Sequence, residues 1–342
     1  MLYLLACQDP TNSAAFSFKK ERKKESATYD SAREDTAQNT PLDETDQNNP
    51  QDTSQNTAEL SISVPEFYPR GSAINAVDGT LYVSSHGLGL IHQATSIHQN
   101  NTSQDTSLFT ETPADSLAGM RYNGGSLWVC ANPRMGLSGL LQIDPYTGAV
   151  ISQYPMAENT TCHSVNNDNA GNIFVSDSQN SHIWKLSLGG GALEQWYTQD
   201  SYKPEYSEGF SGIVMSHAQD AVLVGHMETG NLYRIPILED GSAGDAIVES
   251  FDRSIVGEGI NGVAWHEGKL YVIRDRQLLK LEQSSNSWSS EVLADFEHPT
   301  SFVFFRGGNG VVWVVESQLD AYFDETSSTQ VNLPFKIIQV PL

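Results

Sequence analysis

Beyond about residue 60 one short pattern recurs six times at intervals of roughly 40 to 50 residues, a spacing that calls for stacked or radial repetition of one unit. Each copy is a small residue followed by apolar ones, a turn rich in Gly, Asn or Asp, and a second apolar strand that usually carries an aromatic. The copies run from Ser72-Ala73-Ile74 to Leu81-Tyr82-Val83, from Ala118-Gly119-Met120 to Leu127-Trp128-Val129, and from His163-Ser164-Val165 to Ile173-Phe174-Val175. They continue from Ser211-Gly212-Ile213 to Val222-Leu223-Val224, from Asn261-Gly262-Val263 to Leu270-Tyr271-Val272, and from Thr300-Ser301-Phe302 to Val312-Trp313-Val314. Most are followed by two further strand-like runs, as Ile183-Trp184-Lys185-Leu186 and Leu193-Glu194-Gln195-Trp196-Tyr197 follow the third copy. The alternation has the period of strands, and no sustained helical period competes with it. Six copies of four antiparallel strands predict an all-β fold, a six-bladed β-propeller around a central channel. The last copy ends at Phe335 to Val340, its third strand, and lacks a fourth. Leu60-Ser61-Ile62-Ser63-Val64 alternates apolar and polar residues ahead of the first copy, so it is expected to complete the last blade and remove two open sheet edges.

The propeller is therefore assigned to residues 59–342. Residues 8–58 are rich in Asn, Gln, Asp, Ser and Thr with scarcely any large apolar side chains, a composition that cannot offset the entropy of ordering, and they read as a disordered polar tether. Within it Lys19-Lys20-Glu21-Arg22-Lys23-Lys24 reads as a solvated cluster, with contact to anionic headgroups as the alternative. In residues 1–7, Leu4-Leu5-Ala6-Cys7 resembles the end of a bacterial lipoprotein signal with Cys7 as the lipidated residue. No basic segment precedes it, so the expectation is that the front of the signal lies upstream, the alternative being an apolar N-terminus with an incidental cysteine. Gln8 in place of an aspartate favours the outer membrane. Anchorage is expected through the lipid only, because no apolar run reaches the length of a membrane-spanning helix. Lys and Arg number 19 against 42 Asp and Glu, a net charge of −23, which excludes nucleic acid as a partner of the folded part and favours cations or basic ligands.

Asn261-Gly262-Val263-Ala264-Trp265 and Gly171-Asn172-Ile173-Phe174-Val175-Ser176-Asp177-Ser178 resemble the repeats of the gluconolactonase and senescence-marker-protein family, and more loosely NHL repeats. The resemblance covers most of residues 63–342 in rhythm. It implies a divalent cation such as calcium at the top of the channel, polarising a lactone carbonyl and activating water. The implied ligands are a Glu from the first blade, an Asn from the fourth and an Asp from the fifth, with an Asn from the third nearby. Aligned on the repeats, these places fall on Ser72, Ser211, Asn261 and His163, so neither carboxylate is present. A hard dication wants anionic oxygen, and its retention would need a rearranged site.

Acids that could supply the charge stand three residues before the repeat start in four blades: Asp115, Glu208, Glu258 and Glu297. They either converge on one face or each caps its own loop by accepting backbone N–H bonds, and the second is the expectation. The ends of the second strands bring Ser85, His86, Asp177, His226, Arg274 and Glu316 to the same face, a rim suited to acid–base work or to gripping a carboxylate. Asp177 is expected to bond turn amides, whereas His163 and His226 are the candidate bases. Cys130 and Cys162 fall on adjacent blades near one rim, where a disulfide and two buried thiols are both open. The leading expectation is a monomeric cell-envelope propeller that binds a small molecule or an envelope component on its central face. The alternative is a lactone or ester hydrolase in which His163 or His226 acts as base and Asn261, Glu208 or Glu258 holds a cation, with Ser72, Ser211, Arg274 and Glu316 as ligand contacts.

Overall fold

The computed structural model describes residues 58–95, 97, 104–198, 209–249, 259–284, 287–305, 310–323 and 331–342. The tether, the lipobox cysteine Cys7, and the acids Glu208 and Glu258 lie outside these residues.

Five sheets of four strands and one of five form the ring expected from the repeats. Blade 1 is built from Pro69–Ile74, Leu81–Ser85, Leu90–Ala94 and Ser107–Glu111, and blade 2 from Ser116–Asn123, Ser126–Asn132, Gly139–Ile143 and Val150–Pro155. Blade 3 takes Cys162–Asn167, Ile173–Asp177, His182–Leu186 and Glu194–Thr198, and blade 4 takes Phe210–Met215, Ala221–His226, Leu232–Pro236 and Ile247–Val248. Blade 5 comprises Ile260–His266, Lys269–Arg274, Gln277–Ser284 and Ser287–Asp295. Blade 6 opens with Pro299–Phe304, Val311–Glu316 and Phe335–Pro341, and its fourth strand is the N-terminal Glu59–Ile62. That strand pairs antiparallel with Leu60 opposite Ile337 and Ile62 opposite Phe335, so the expected closure is present, ending two residues sooner than the alternation suggests. Two features have no precedent in the repeat: Gln104–Asp105 adds a parallel edge strand beside Glu59–Ile62, and a short helix, Leu319–Phe323, interrupts blade 6.

The core follows from the alternation. One face of each sheet meets the next blade, and the buried side chains divide into six clusters, one at each blade junction. The cluster joining blades 6 and 1 places Leu60 and Ile62 against Leu81, Val83, Trp313, Phe335 and Ile337. At the junction of blades 2 and 3, Cys130 and Cys162 are joined in a disulfide with Cα atoms 5.1 Å apart, which settles the choice that the sequence leaves open.

Every innermost strand breaks register with its second strand at one equivalent place, between Pro69 and Ser72, Leu117 and Met120, Cys162 and Ser164, Phe210 and Ile213, Ile260 and Gly262, and Pro299 and Ser301. A bulge bends a strand and re-aims a side chain, and six at one level set a ring of re-aimed residues around the channel. The neighbouring inner strands converge just there. A Cβ on Gly71 would lie 2.1 Å from the Ala118 carbonyl oxygen, and one on Gly212 would lie 2.7 Å from that of Asn261, so only glycine fits. Serine hydroxyls from the second strands tie the blades together at this level, Ser84 donating to the Ala118 carbonyl at 2.7 Å and Ser176 to that of Ser211 at 2.5 Å.

Candidate functional site

The residue after each last paired position before the bulge is Arg70, Ala118, His163, Ser211, Asn261 and Thr300 in blades 1 to 6. This corrects the sequence alignment in blade 1. Ser72 pairs with Val83 as Met120 pairs with Val129, Val165 with Val175 and Val263 with Val272, so Ser72 belongs one level further along the channel and Arg70 occupies the blade 1 place. The misreading arises because a serine looks like the small residue that opens the repeat, whereas Gly71 is the counterpart of Gly119, Gly212 and Gly262. The dipeptide Arg70-Gly71, set beside Ala118-Gly119 and Asn261-Gly262, was the signal that identifies it. Ser72 instead makes a hydroxyl–hydroxyl contact of 3.0 Å with Ser301 across the junction of blades 6 and 1.

Arg70 organises a polar group at the channel mouth. Its Nη1 donates to His86 Nδ1 at 3.1 Å, and Ser116 Oγ stands 3.2 Å from the same nitrogen. A guanidinium can only donate, so His86 Nδ1 is the acceptor and the proton of the neutral ring sits on Nε2. Burial, with Arg70 adding to it, holds His86 down at about 3. The helix Leu319–Phe323 covers this ring, with Tyr322 and Phe323 in edge contact. Arg70 itself is pushed down to about 10 by burial alone and stays cationic at neutral pH. Among the described residues His86 is its hydrogen-bond partner, and no carboxylate pairs with it.

His163 is 5% exposed, and neither of its ring nitrogens has a hydrogen-bond partner. Burial holds it well below the usual histidine range, and the nearby Arg70 charge and His86 reinforce the effect, so the ring is neutral. Leaving two buried polar atoms unsatisfied is costly, and such atoms concentrate where a ligand or water completes them.

The other candidates are distributed more widely. Ser211 is fully buried and its hydroxyl donates to the Ile260 carbonyl, so it serves the junction of blades 4 and 5. Thr300 Oγ1 donates to the Pro69 carbonyl at 3.3 Å. Asn261 stands half-buried in the blade 5 place. His226 Nδ1 accepts the Thr229 amide at 3.3 Å and Nε2 lies 3.4 Å from Ser181 Oγ, among Phe210 and Tyr233. Burial lowers it to about 4, and it holds its own hairpin together. Arg274 lies against the turn at Gly230, its Nε buried without a hydrogen-bond partner. Glu316 accepts the Glu297 amide at 2.8 Å, and Asp115 accepts that of Arg134 at 2.8 Å. Asp177 accepts the amides of Thr161 and Gln179, and Ser85 accepts that of Leu88. Asp177 thus bonds turn amides as expected, whereas Asp115 caps the loop between the second and third strands of blade 2 and not its own blade-connecting loop. Sequence reasoning missed Arg70 as a site residue and Ser116 altogether.

A divalent cation does not fit this donor set. The six equivalent places hold one guanidinium, one neutral imidazole, an amide, two engaged hydroxyls and an alanine, without a carboxylate. Among the described residues no three His, Cys, Asp or Glu gather into a metal-holding group.

No protein-family model matches the chain, and no curated protein matches it. Solved structures share its architecture. A gluconolactonase from Xanthomonas campestris superposes with a TM-score of 0.60 at 11% identity, over 83% of this chain and 89% of its own. A putative gluconolactonase gives 0.59 at 13% identity over 84% and 93%, and virginiamycin B lyase from Staphylococcus aureus gives 0.54 at 12% identity over 83% and 87%. The gluconolactonase-like resemblance of the repeats thus holds at the level of the six-bladed fold. At these identities the likeness carries the scaffold and not a site.

Proposed function

We propose that this protein is a ligand-binding propeller of the cell envelope, whose binding site is the channel mouth around His163, Arg70 and Asn261. The observation that carries the reading is His163, a buried imidazole with both ring nitrogens unpartnered beside an arginine that has no carboxylate partner among the described residues. Four structural neighbours described as gluconolactonases or lyases favour a second reading, hydrolysis of a lactone or related ester. Proton transfer argues against it. A general base works best with a pKa near the working pH, and burial has weakened His163 and His226 far below that point. Both are better suited to hydrogen-bond a bound group than to abstract its proton. The leader ending Leu4-Leu5-Ala6-Cys7 and the polar composition of residues 8–58 support attachment of the propeller to a membrane by a lipid on Cys7.

The expected result of a lactone hydrolysis assay, run with and without added calcium or magnesium, is a rate no greater than that of buffer. Metal-dependent turnover that disappears in His163→Ala would establish the hydrolase instead.

A further inference from the structure

We infer that the channel mouth selects ligands bearing a carboxylate, with the guanidinium of Arg70 as its charge partner and the ring of His163 as its second polar contact. The inference rests on the central-face reading above and deepens it to a ligand class.

Four of the ten Lys and Arg side chains among the described residues make an ion pair with a carboxylate. Arg234 pairs with Asp220, Lys269 with Glu282, Lys280 with Glu291 and Lys336 with Glu59. Arg70 has no carboxylate partner among the described residues; it is half-buried, and desolvation lowers its pKa to about 10. A desolvated cation without a counter-charge is unfavourable, and an anion entering the site would relieve it. The geometry leaves room for this. Nη1 is held by His86, whose Nδ1 is committed as acceptor, so one corner of the guanidinium is fixed and its remaining N–H groups have no partner among the described residues. A planar fork fixed at one corner is preorganised for the parallel N–H bonds that a carboxylate accepts. His163 adds a neutral N–H donor, and among the described residues it is the only histidine with both ring nitrogens buried and unpartnered.

Charge arithmetic picks the monoanion. The local group carries one positive charge, since His86 and His163 are both neutral, and it sits in a chain of net charge −23 that repels dianions more strongly. A phosphate dianion would remain half uncompensated, whereas a carboxylate would be matched.

The test follows the ring nitrogens of His163 by NMR in full-length protein labelled with 15N-histidine, with the signal assigned from His163→Gln. Acetate is titrated in, with chloride at equal ionic strength and acetamide, the neutral analogue of similar shape, as comparisons. The expected result is a saturable His163 shift with acetate in the millimolar range that neither chloride nor acetamide reproduces. Affinity should fall about tenfold or more in Arg70→Gln, because hydrogen bonds to charged groups dominate such a small ligand. Arg70→Lys, which keeps the charge but loses the fork, should bind with intermediate affinity and guards against a folding defect in the glutamine variant. Equal binding of acetate and acetamide would overturn the carboxylate preference while leaving a central-face site. Acetate affinity unchanged in Arg70→Gln would also overturn it. Failure of both small molecules to move His163 beyond the chloride control would overturn the inference and the central-face reading together.

Discussion

Replacing Leu60 and Ile62 together by alanine is expected to cost about 4–10 kcal/mol, taking about 2–5 kcal/mol for each large buried side chain removed. Both are almost wholly buried, at 2% and 1% exposure, and both belong to the cluster that joins the last blade to the first. The same strand supplies the backbone partners of Phe335–Pro341, so weakening it also threatens to free two sheet edges. Small domains have about 5–15 kcal/mol in total, so the double variant should be largely unfolded at room temperature. Urea denaturation followed by circular dichroism checks this. Glu59→Ala on the same strand serves as the control, since its ion pair with Lys336 is on the surface and worth about 1 kcal/mol or less. A double variant within about 1 kcal/mol of the parent would contradict closure of the ring by this strand.

Mild acid is expected to destabilise the propeller before most carboxylates titrate. His226 stands at about 4 in the fold, and an unfolded histidine titrates near 6.5. As pH falls through that window the unfolded chain takes up the proton first, so stability is lost at about 1.4 kcal/mol per pH unit, roughly 3 kcal/mol once pH 4 is reached. His163 is held down by burial in the same direction and steepens the fall. Above pH 6.5 neither group contributes a slope. Urea midpoints between about pH 7 and pH 5 measure the effect, and His226→Asn should lessen the slope while His86 and His163 keep the remainder. A midpoint that does not move over this range would show that these rings take up protons in the folded state.

Much of the scaffold was legible because propeller repeats encode both strand period and turn. Leu60 and Ile62 announced the closing strand by alternation alone. The site was less legible for a specific reason. The channel ring is set by bulges, and a bulge is invisible in an apolar–polar pattern, so Ser72 was placed where Arg70 stands. Arg70-Gly71 carries the right signal, but a charged residue opening an innermost strand contradicts the small-residue rule that identifies the other blades. His163 was legible as a position and not as an environment. Its lack of partners is a property of its tertiary surroundings, which no local pattern reports. The disulfide was undecidable from spacing, because Cys130 and Cys162 are 32 residues apart and meet only when blades 2 and 3 dock. The helix Leu319–Phe323, which covers His86, breaks the repeat and therefore escapes repeat-based reasoning.

The central claim is the proposal that the channel mouth recognises a ligand directly through Arg70 and His163 and not through a bound metal. Its most direct test is a calorimetric titration of the full-length protein with calcium. The guanidinium in the blade 1 place and the neutral donors around it predict no saturable heat. Calcium binding in the micromolar range that disappears in Glu208→Gln would contradict the claim, because it would show carboxylates from the blade-connecting loops restoring a cation site at the same face.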